Sequence, residues 1–383
     1  MSAGSPRVVG VDPGTVSFDL CGLEGGRVFL DRSFATPGLG VDPGPLVRAL
    51  QEAGPLDLVV GPSGYGLPWT AAADVGPREV GLMVLADARH DDADTIIAGM
   101  GRLVRALAAS GLPVCFAPSV VQLPTVPAHR KVNRVDMGTA DKVCAAALGV
   151  WDQARRLGVG YDETSFVFVE LGGAFTAVLA VCDGAVVDGA GGTSGAMGFG
   201  AAGALDGEVA CLLGGVGKGR LAGGGVAAAA GAPGATPEEL AAAAAGDRRA
   251  ADAWEAFFEG VAKQVAALAT VAPPREVLLS GRLCRVRWIE ERVAERLDCV
   301  APVCRVRGLA VQAKEAAQGA ALIAQGLLGG EPAGLVAAMR LRAAGGTVLD
   351  HVVVDGMDEV RRRFRADEPG PAPFWERRSP RAD

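Results

Sequence analysis

The chain has 383 residues, about 2.5 times a domain of roughly 150, so two domains are expected, with a core large enough to need no staples. Hydrophobic residues make up 50% and charged residues 21%, which excludes a disordered chain. The net charge of −7 argues against a generic nucleic-acid or anionic-membrane surface.

Residues 1–7 lack a basic run followed by an apolar one, so no export signal is expected. Residues 7–11 read as an apolar strand broken by Asp12-Pro-Gly14-Thr15. Strands at 17–23 and 27–34, separated by a Gly25-Gly26 turn, complete a meander. A helix is expected near 45–52, then a strand at 56–60 closed by the loop Gly61-Pro-Ser-Gly-Tyr-Gly66. Residues 92–110 carry helical spacing up to Gly111, and 113–117 read as a strand. Residues 140–157 form a strong helix, with Thr139 as N-cap and Gly158 at its end.

The opening then recurs. A strand at 165–169 is broken by Glu170-Leu-Gly172-Gly173, followed by a strand at 175–182, an Asp183-Gly184 turn and a strand at 185–188. The two copies lie about 158 residues apart (Asp12 against Glu170) and share element order rather than sequence identity. Residues 214–225 hold seven glycines in twelve and are expected to be a mobile loop. Helices are expected at 237–245 and 250–269, then a buried strand at 276–280 ending in Gly281. Further helices are expected at 310–325 and 334–343, and a frayed tail from Asp367. The domains are set at 1–160 and 161–330, with 331–383 as a helical extension and tail. Residues 166–182, the most apolar strand region, fall short of the ~20 apolar residues of a membrane-spanning helix.

Several motifs fail on inspection. A Walker A loop at Lys218 is followed by Gly219 rather than Ser or Thr, and Gly99-Met-Gly101 has no strand before it. Neither Ser63 nor Ser194 satisfies G-x-S-x-G, and H-E-x-x-H does not occur. The eight cysteines form no C-x-x-C pair and the three histidines (His90, His129, His351) are scattered, so no zinc site is expected. The thiols read as mostly buried, in a reducing cytoplasm. His90 and His129 read as structural or exposed.

What remains is phosphate chemistry. Asp12 ends a strand, and Gly14 and Thr15 sit in the tight turn that follows. Glycine lets backbone N–H groups approach phosphate, while a carboxylate there needs a cation between it and the phosphate. Mg²⁺ held through water fits, with Asp12 and Glu170 as its carboxylates. The bland reading is a plain Asp-Pro-Gly hairpin turn. The second copy, with Glu170, Gly172, Gly173 and Thr176, favours function.

These two hairpins, with the strand Glu276-Val-Leu-Leu-Ser280-Gly281, resemble the phosphate-1, phosphate-2 and adenosine motifs of the superfamily joining sugar kinases, heat-shock chaperone ATPases and actin. The order and spacing cover roughly residues 7–330. Several segments are also similar to the DUF1464 family, described as predicted butyrate kinases. They are Gly61-Pro-Ser-Gly-Tyr-Gly66, Asn133-Arg-Val-Asp-Met-Gly-Thr-Ala-Asp-Lys142, Gly203-Ala-Leu-Asp-Gly-Glu208 and Ala317-Gln-Gly-Ala-Ala-Leu-Ile-Ala-Gln-Gly326. The resemblance implies an α/β chain of two ribonuclease-H-like (actin-like ATPase) domains with nucleotide in an interdomain cleft. It implies ATP and Mg²⁺ as cofactors, with Gly14, Thr15, Glu170, Gly172, Gly173, Thr176, Ser280 and Gly281 facing the nucleotide. One departure stands out: the superfamily usually carries Asp where this chain has Glu170.

Residues 129–142 concentrate charge. His129, Arg130, Lys131 and Arg134 precede Asp136 and a helix N-terminus, whose free N–H groups favour an anion. Arg130 or Arg134 is the candidate for the acid or the transferring phosphoryl group, because guanidinium suits bidentate oxyanion recognition. Asp141 and Lys142 either contact substrate or simply pair at the helix start. A carboxylate substrate is already a nucleophile at neutral pH, whereas a hydroxyl needs a base such as Asp136, Asp141 or Asp206. Asp206 and Glu208 either help hold metal and substrate or cap a helix. Ser63, Gly64 and Tyr65 are candidate substrate-loop residues at the carboxyl end of a strand.

Three readings follow: an ATP-dependent kinase for a small molecule, a short carboxylic acid being favoured; an ATPase switch moving a partner protein; or a non-catalytic nucleotide-binding module. Neither nucleic acid nor membrane is expected as a partner, and a homodimer is compatible with the first reading.

Overall fold

In the computed structural model, residues 5–14, 16–35, 42–86, 96–371, 373 and 375 are described. The chain divides into two compact units: residues 1–135, 139–162 and 308–383, and residues 136–138 and 163–307.

The first unit grows from the expected meander. β1 (Arg7–Pro13), β2 (Ser17–Glu24) and β3 (Arg27–Ala35) pair antiparallel. Gly25 and Gly26 turn β2 into β3 with φ of 56° and 78°, the left-handed pair that a two-residue hairpin requires. Helix α1 (Gly44–Glu52) leads to β4 (Leu58–Pro62), which pairs parallel with β1. β5 (Thr70–Ala71), α2 (Pro77–Val84) and α3 (Ile96–Ala109) precede β6 (Val114–Ala117), giving the sheet order β3-β2-β1-β4-β6-β5. The expected start of the third helix at Asp92, like His90, lies outside the described residues. Short α4 (Ala128–Lys131) and long α5 (Ala140–Leu157) close this stretch.

The second unit repeats the plan. β7 (Phe166–Leu171), β8 (Thr176–Cys182) and β9 (Ala185–Ala190) form another antiparallel meander. Its hairpin turn, Asp183-Gly184, again has both φ positive, at 50° and 74°. α6 (Gly207–Leu212), α7 (Val226–Ala229), α8 (Pro237–Ala243) and α9 (Arg248–Ala269) follow. β10 (Glu276–Ser280), α10 (Arg287–Leu297) and β11 (Val303–Arg305) complete the sheet β11-β10-β7-β8-β9. In both units an antiparallel trio continues into strands parallel to its first member. α9 lays Trp254, Phe257, Phe258 and Val261 onto Val167, Val169 and Val178, which forms the core of this unit. The glycine-rich 214–225 segment is not wholly irregular: Lys218–Ala222 make a 3-10 turn.

α11 (Glu315–Leu327), α12 (Ala333–Ala338) and α13 (Met357–Phe364) belong to the first unit. The sequence boundary at 330 divides this unit differently, because small residues let α11 settle onto β1 and α5 far back in the chain. A Cβ on Gly10 would lie 2.1 Å from the Ala317 carbonyl oxygen, and one on Gly319 would lie 1.7 Å from that of Cys144. α11 starts at Glu315 rather than at residue 310, because the N–H groups of 309–313 are tied to Asp31 and Gln318 in a bent strap. α2, α10 and α13 were not expected; α2 has only eight residues, and α10 and α13 are dominated by charged residues. Among the described residues no helix is long and apolar enough to cross a membrane.

Candidate active site

The first hairpin is built around one ammonium group. Asp12, at the end of β1, faces Asp19 of β2 directly across the antiparallel pair. Two like charges so placed repel unless a cation joins them. Lys314 is that cation: Nζ lies 3.0 Å from Asp12 Oδ2, 3.0 Å from Asp19 Oδ2 and 3.2 Å from the Ser17 carbonyl oxygen. Burial pushes the Asp12 carboxyl above its ordinary value, against the pull of Lys314; the Asp141 and Asp19 charges add to the rise. Burial also works against the Lys314 charge, yet Asp12 and Asp19 outweigh it and hold the ammonium above its usual range. Gly14 closes the turn, its N–H donating to the Ser17 carbonyl at 2.9 Å. Thr15 lies outside the described residues.

The start of α5 adjoins this hairpin, and Asp141 and Lys142 both act on Asp12 through their charges. Lys142 Nζ donates to Asp141 Oδ2 at 2.6 Å. Burial alone would raise the Asp141 carboxyl; Lys142 and the Thr139 hydroxyl outweigh it and hold the group low. The Thr139 hydroxyl therefore serves Asp141 instead of capping the helix backbone. The Gly61–Gly66 loop meets the same place, where the Ala140 N–H donates to the Gly64 carbonyl at 2.9 Å. Gly64 has a φ of 65°, and a Cβ there would lie 2.5 Å from the Met83 oxygen. Ser63 is fully buried; its hydroxyl donates to the Ala117 carbonyl and accepts from the Leu67 N–H. Its role is to shape the loop, while Tyr65 beside it stays half-buried.

The basic run divides. Lys131 turns inward and donates to the Leu123 carbonyl, whereas His129 and Arg134 are exposed and Arg130 is half-buried. Asp136 joins the second unit. There its Oδ2 accepts from the Thr193 N–H and hydroxyl, at 2.9 and 2.8 Å, and Oδ1 accepts from the Gly138 N–H at 3.3 Å. A Cβ on Gly191 would collide with this carboxylate. Asp136 thus pins the loop after β9. Burial lowers the nearby Lys218 ammonium to about 8, with Asp136 opposing the shift. Asp206 and Glu208 are exposed, and Asp206 accepts the Glu208 N–H as the N-cap of α6.

The second hairpin copies the first without its pair of facing acids. Gly172 N–H donates to the Phe175 carbonyl at 3.0 Å, as Gly14 does to Ser17. Glu170 stands half-buried at the Asp12 position, but the residue opposite it is Ala177, not a second acid. On its other side Glu170 is in register with Ser280 of β10. Gly281 follows with a φ of 96°, its Cα so near β7 that a Cβ would lie 2.4 Å from the Leu171 oxygen. Gly173 completes the turn between Gly172 and the next strand. Thr176 Oγ1 and Ser280 Oγ are buried and meet no hydrogen-bond partner in the protein. Buried hydroxyls are normally satisfied, so two orphans beside this turn fit a ligand rich in oxygen, as a nucleotide is.

Magnesium held by the protein alone does not fit. Among the described residues no three His, Cys, Asp or Glu side chains converge on a point, and Lys314 already holds Asp12. Lys314 and Asp19 were not anticipated from sequence. The available signal was scarcity: the chain has five lysines among 37 basic residues.

The fold is shared with small-molecule kinases. The chain resembles the acetate kinase of Porphyromonas gingivalis with a TM-score of 0.58 and 15% identity, over 84% of this chain and 100% of that one. A propionate kinase from Francisella tularensis subsp. tularensis SCHU S4 gives 0.56 and 13%, over 82% and 98%. The acetate kinase of Entamoeba histolytica gives 0.54 and 9%, over 76% and 87%. Likeness at such identity establishes the two-sheet α/β architecture. The profile of the family described as "Protein of unknown function (DUF1464)" matches residues 10–354, and the chain belongs to that family. No curated protein shows a significant match.

Proposed function

We propose that this chain is an ATP-dependent phosphotransferase whose acceptor is a short-chain carboxylate and whose product is an acyl phosphate. The observation that carries this reading is the repeated hairpin, with buried, unpartnered hydroxyls at Thr176 and Ser280 in one copy and the Asp12–Lys314 pair in the other. In this reading Thr176, Ser280 and the Gly172–Gly173 turn receive the nucleotide phosphates. Lys142, Arg130 and Arg134 supply positive charge for the acid and the transferring group. The carboxylate oxygen attacks the terminal phosphorus, and ADP leaves with the electron pair of the broken bond. ATP is the donor, and Mg²⁺ comes as the companion of its phosphates.

The environment of the acids favours carboxylate over hydroxyl as acceptor. A hydroxyl needs a free base. Asp136 is saturated by Thr193 and Gly138, Asp141 is ion-paired with Lys142, and Asp206 caps α6. A carboxylate asks nothing of them. The acetate and propionate kinases that share the fold support the same choice.

A second reading, the ATPase switch, draws on one feature: α6 exposes Val209 and Leu212, with Leu213 beside them, and Leu212 is 86% exposed. Such a patch suits a protein partner. The deciding assay measures ADP release from Mg·ATP with a panel of short carboxylates and small alcohols, with hydroxylamine to trap acyl phosphate. Stimulation by an acid together with trapping is expected. Slow release indifferent to every small molecule would instead favour the switch.

A further inference from the structure

Lys314 sits where the chemistry of the hairpin calls for a cation. Asp12 and Asp19 are 4% and 0% exposed and directly opposite in register. The ammonium spends its three donors on Asp12, Asp19 and the Ser17 carbonyl. Gly14 leaves it room, since a Cβ there would lie 2.2 Å from Nζ.

The lysine is also delivered to this place. Asp31 of β3 accepts the backbone N–H groups of Val311, Gln312 and Ala313, at 2.9, 3.0 and 2.7 Å. Gln318 Oε1 accepts those of Leu309 and Ala310, while its Nε2 donates to the Ala313 carbonyl. The strap therefore ends in a fixed position, and the next residue is Lys314. Asp19 Oδ1 stays buried with no partner, so the acids still outnumber the charge that answers them.

We propose that Lys314 is the resident cation of the first hairpin. It occupies the position against Asp12 and Asp19 that a divalent ion would take, so the chain binds no metal there by itself, and metal reaches Asp12 only with the nucleotide and in competition with the ammonium. The inference deepens the kinase reading and rests on it for the identity of the phosphate ligand.

The test is Mn²⁺ alone, titrated into the full-length protein and followed by electron paramagnetic resonance. Carboxylate sites accept Mn²⁺ readily. Wild-type protein is expected to bind it weakly. Lys314→Met, which frees Asp12 and Asp19 with Asp141 nearby, is expected to bind at least ~10-fold more tightly and to gain thermal stability from Mn²⁺. Lys314→Arg keeps the charge and should bind as weakly as wild type. Equal affinity in wild type and Lys314→Met overturns the proposal. So does tight binding by wild type that Asp12→Asn abolishes, an arm that needs no lysine variant to fold. If Lys314→Met does not fold, Lys314→Met/Asp19→Asn carries the same comparison with one buried acid fewer. No nucleotide or acid enters the titration, so failure of the kinase reading appears in the ADP-release assay and failure of this inference appears here.

Discussion

Thr176 and Ser280 each keep a hydroxyl in the interior with nothing to bond to. Such an orphan costs about 1–3 kcal/mol. Thr176→Val should therefore raise stability in urea by about 1 kcal/mol and weaken ATP binding about 10-fold in calorimetry. A threonine with a purely structural role would lose stability instead. Arg134 is exposed, so its loss should spare folding. Arg134→Ala should lower turnover on the order of 10²-fold with little change in ATP affinity. Equal loss of both would make Arg134 a nucleotide ligand. Asp12, Thr176 and Ser280 were legible in the sequence because each ends or begins a strand beside a glycine turn. Lys314 was not, because 302 residues separate it from Asp12 and no motif marks the contact. The charges of 129–142 were visible, but not their division: Lys131 is buried, Arg134 exposed and Asp136 hydrogen-bonded within the other unit.

Among the elements, the two meanders agree closely. β2 has a register irregularity between Gly22 and Leu23, and β8 has one between Ala180 and Val181, each 158 residues further on. The hairpin turns and the glycine that closes each phosphate turn share the same offset. Turn residues and strand periodicity are local, which is why sequence reading found both copies. α11 shows the opposite case. Its alanines and glycines carry little periodic signal, and its place is set by backbone approach to β1 and α5. Gly319→Ala should push α11 away from Cys144, costing about 1–3 kcal/mol and lowering turnover by moving Lys314. Gly345→Ala, where a Cβ meets nothing within 4 Å, is the control and should lie within about 0.5 kcal/mol of wild type. Chemical denaturation of both variants checks the pair.

For the molecule as a whole, acid should release the strap. Burial opposes the Asp31 charge, but the Gln312, Ala313 and Val311 N–H groups win and hold its carboxyl below the ordinary 3.8. A depressed carboxyl adds stability that is present above its unfolded value and lost as pH falls through the folded one. Asp31→Asn should therefore melt earlier than wild type at neutral pH, with the difference shrinking below about pH 4. A difference that stays constant on acidification would remove Asp31's charge from the account.

The strap has a consequence for synthesis. The first unit is interrupted in sequence by the whole of the second, and the lysine between Asp12 and Asp19 follows that insertion. Domains form as the ribosome delivers them. Here residues 163–307 all leave the ribosome before Lys314 does, so the later unit can finish first. Until then the nascent first hairpin carries two facing carboxylates with no ammonium between them. A ribosome stalled with residue 307 clear of the exit tunnel and Lys314 still inside it should hold a folded second unit, while the first hairpin remains open to any cation in solution.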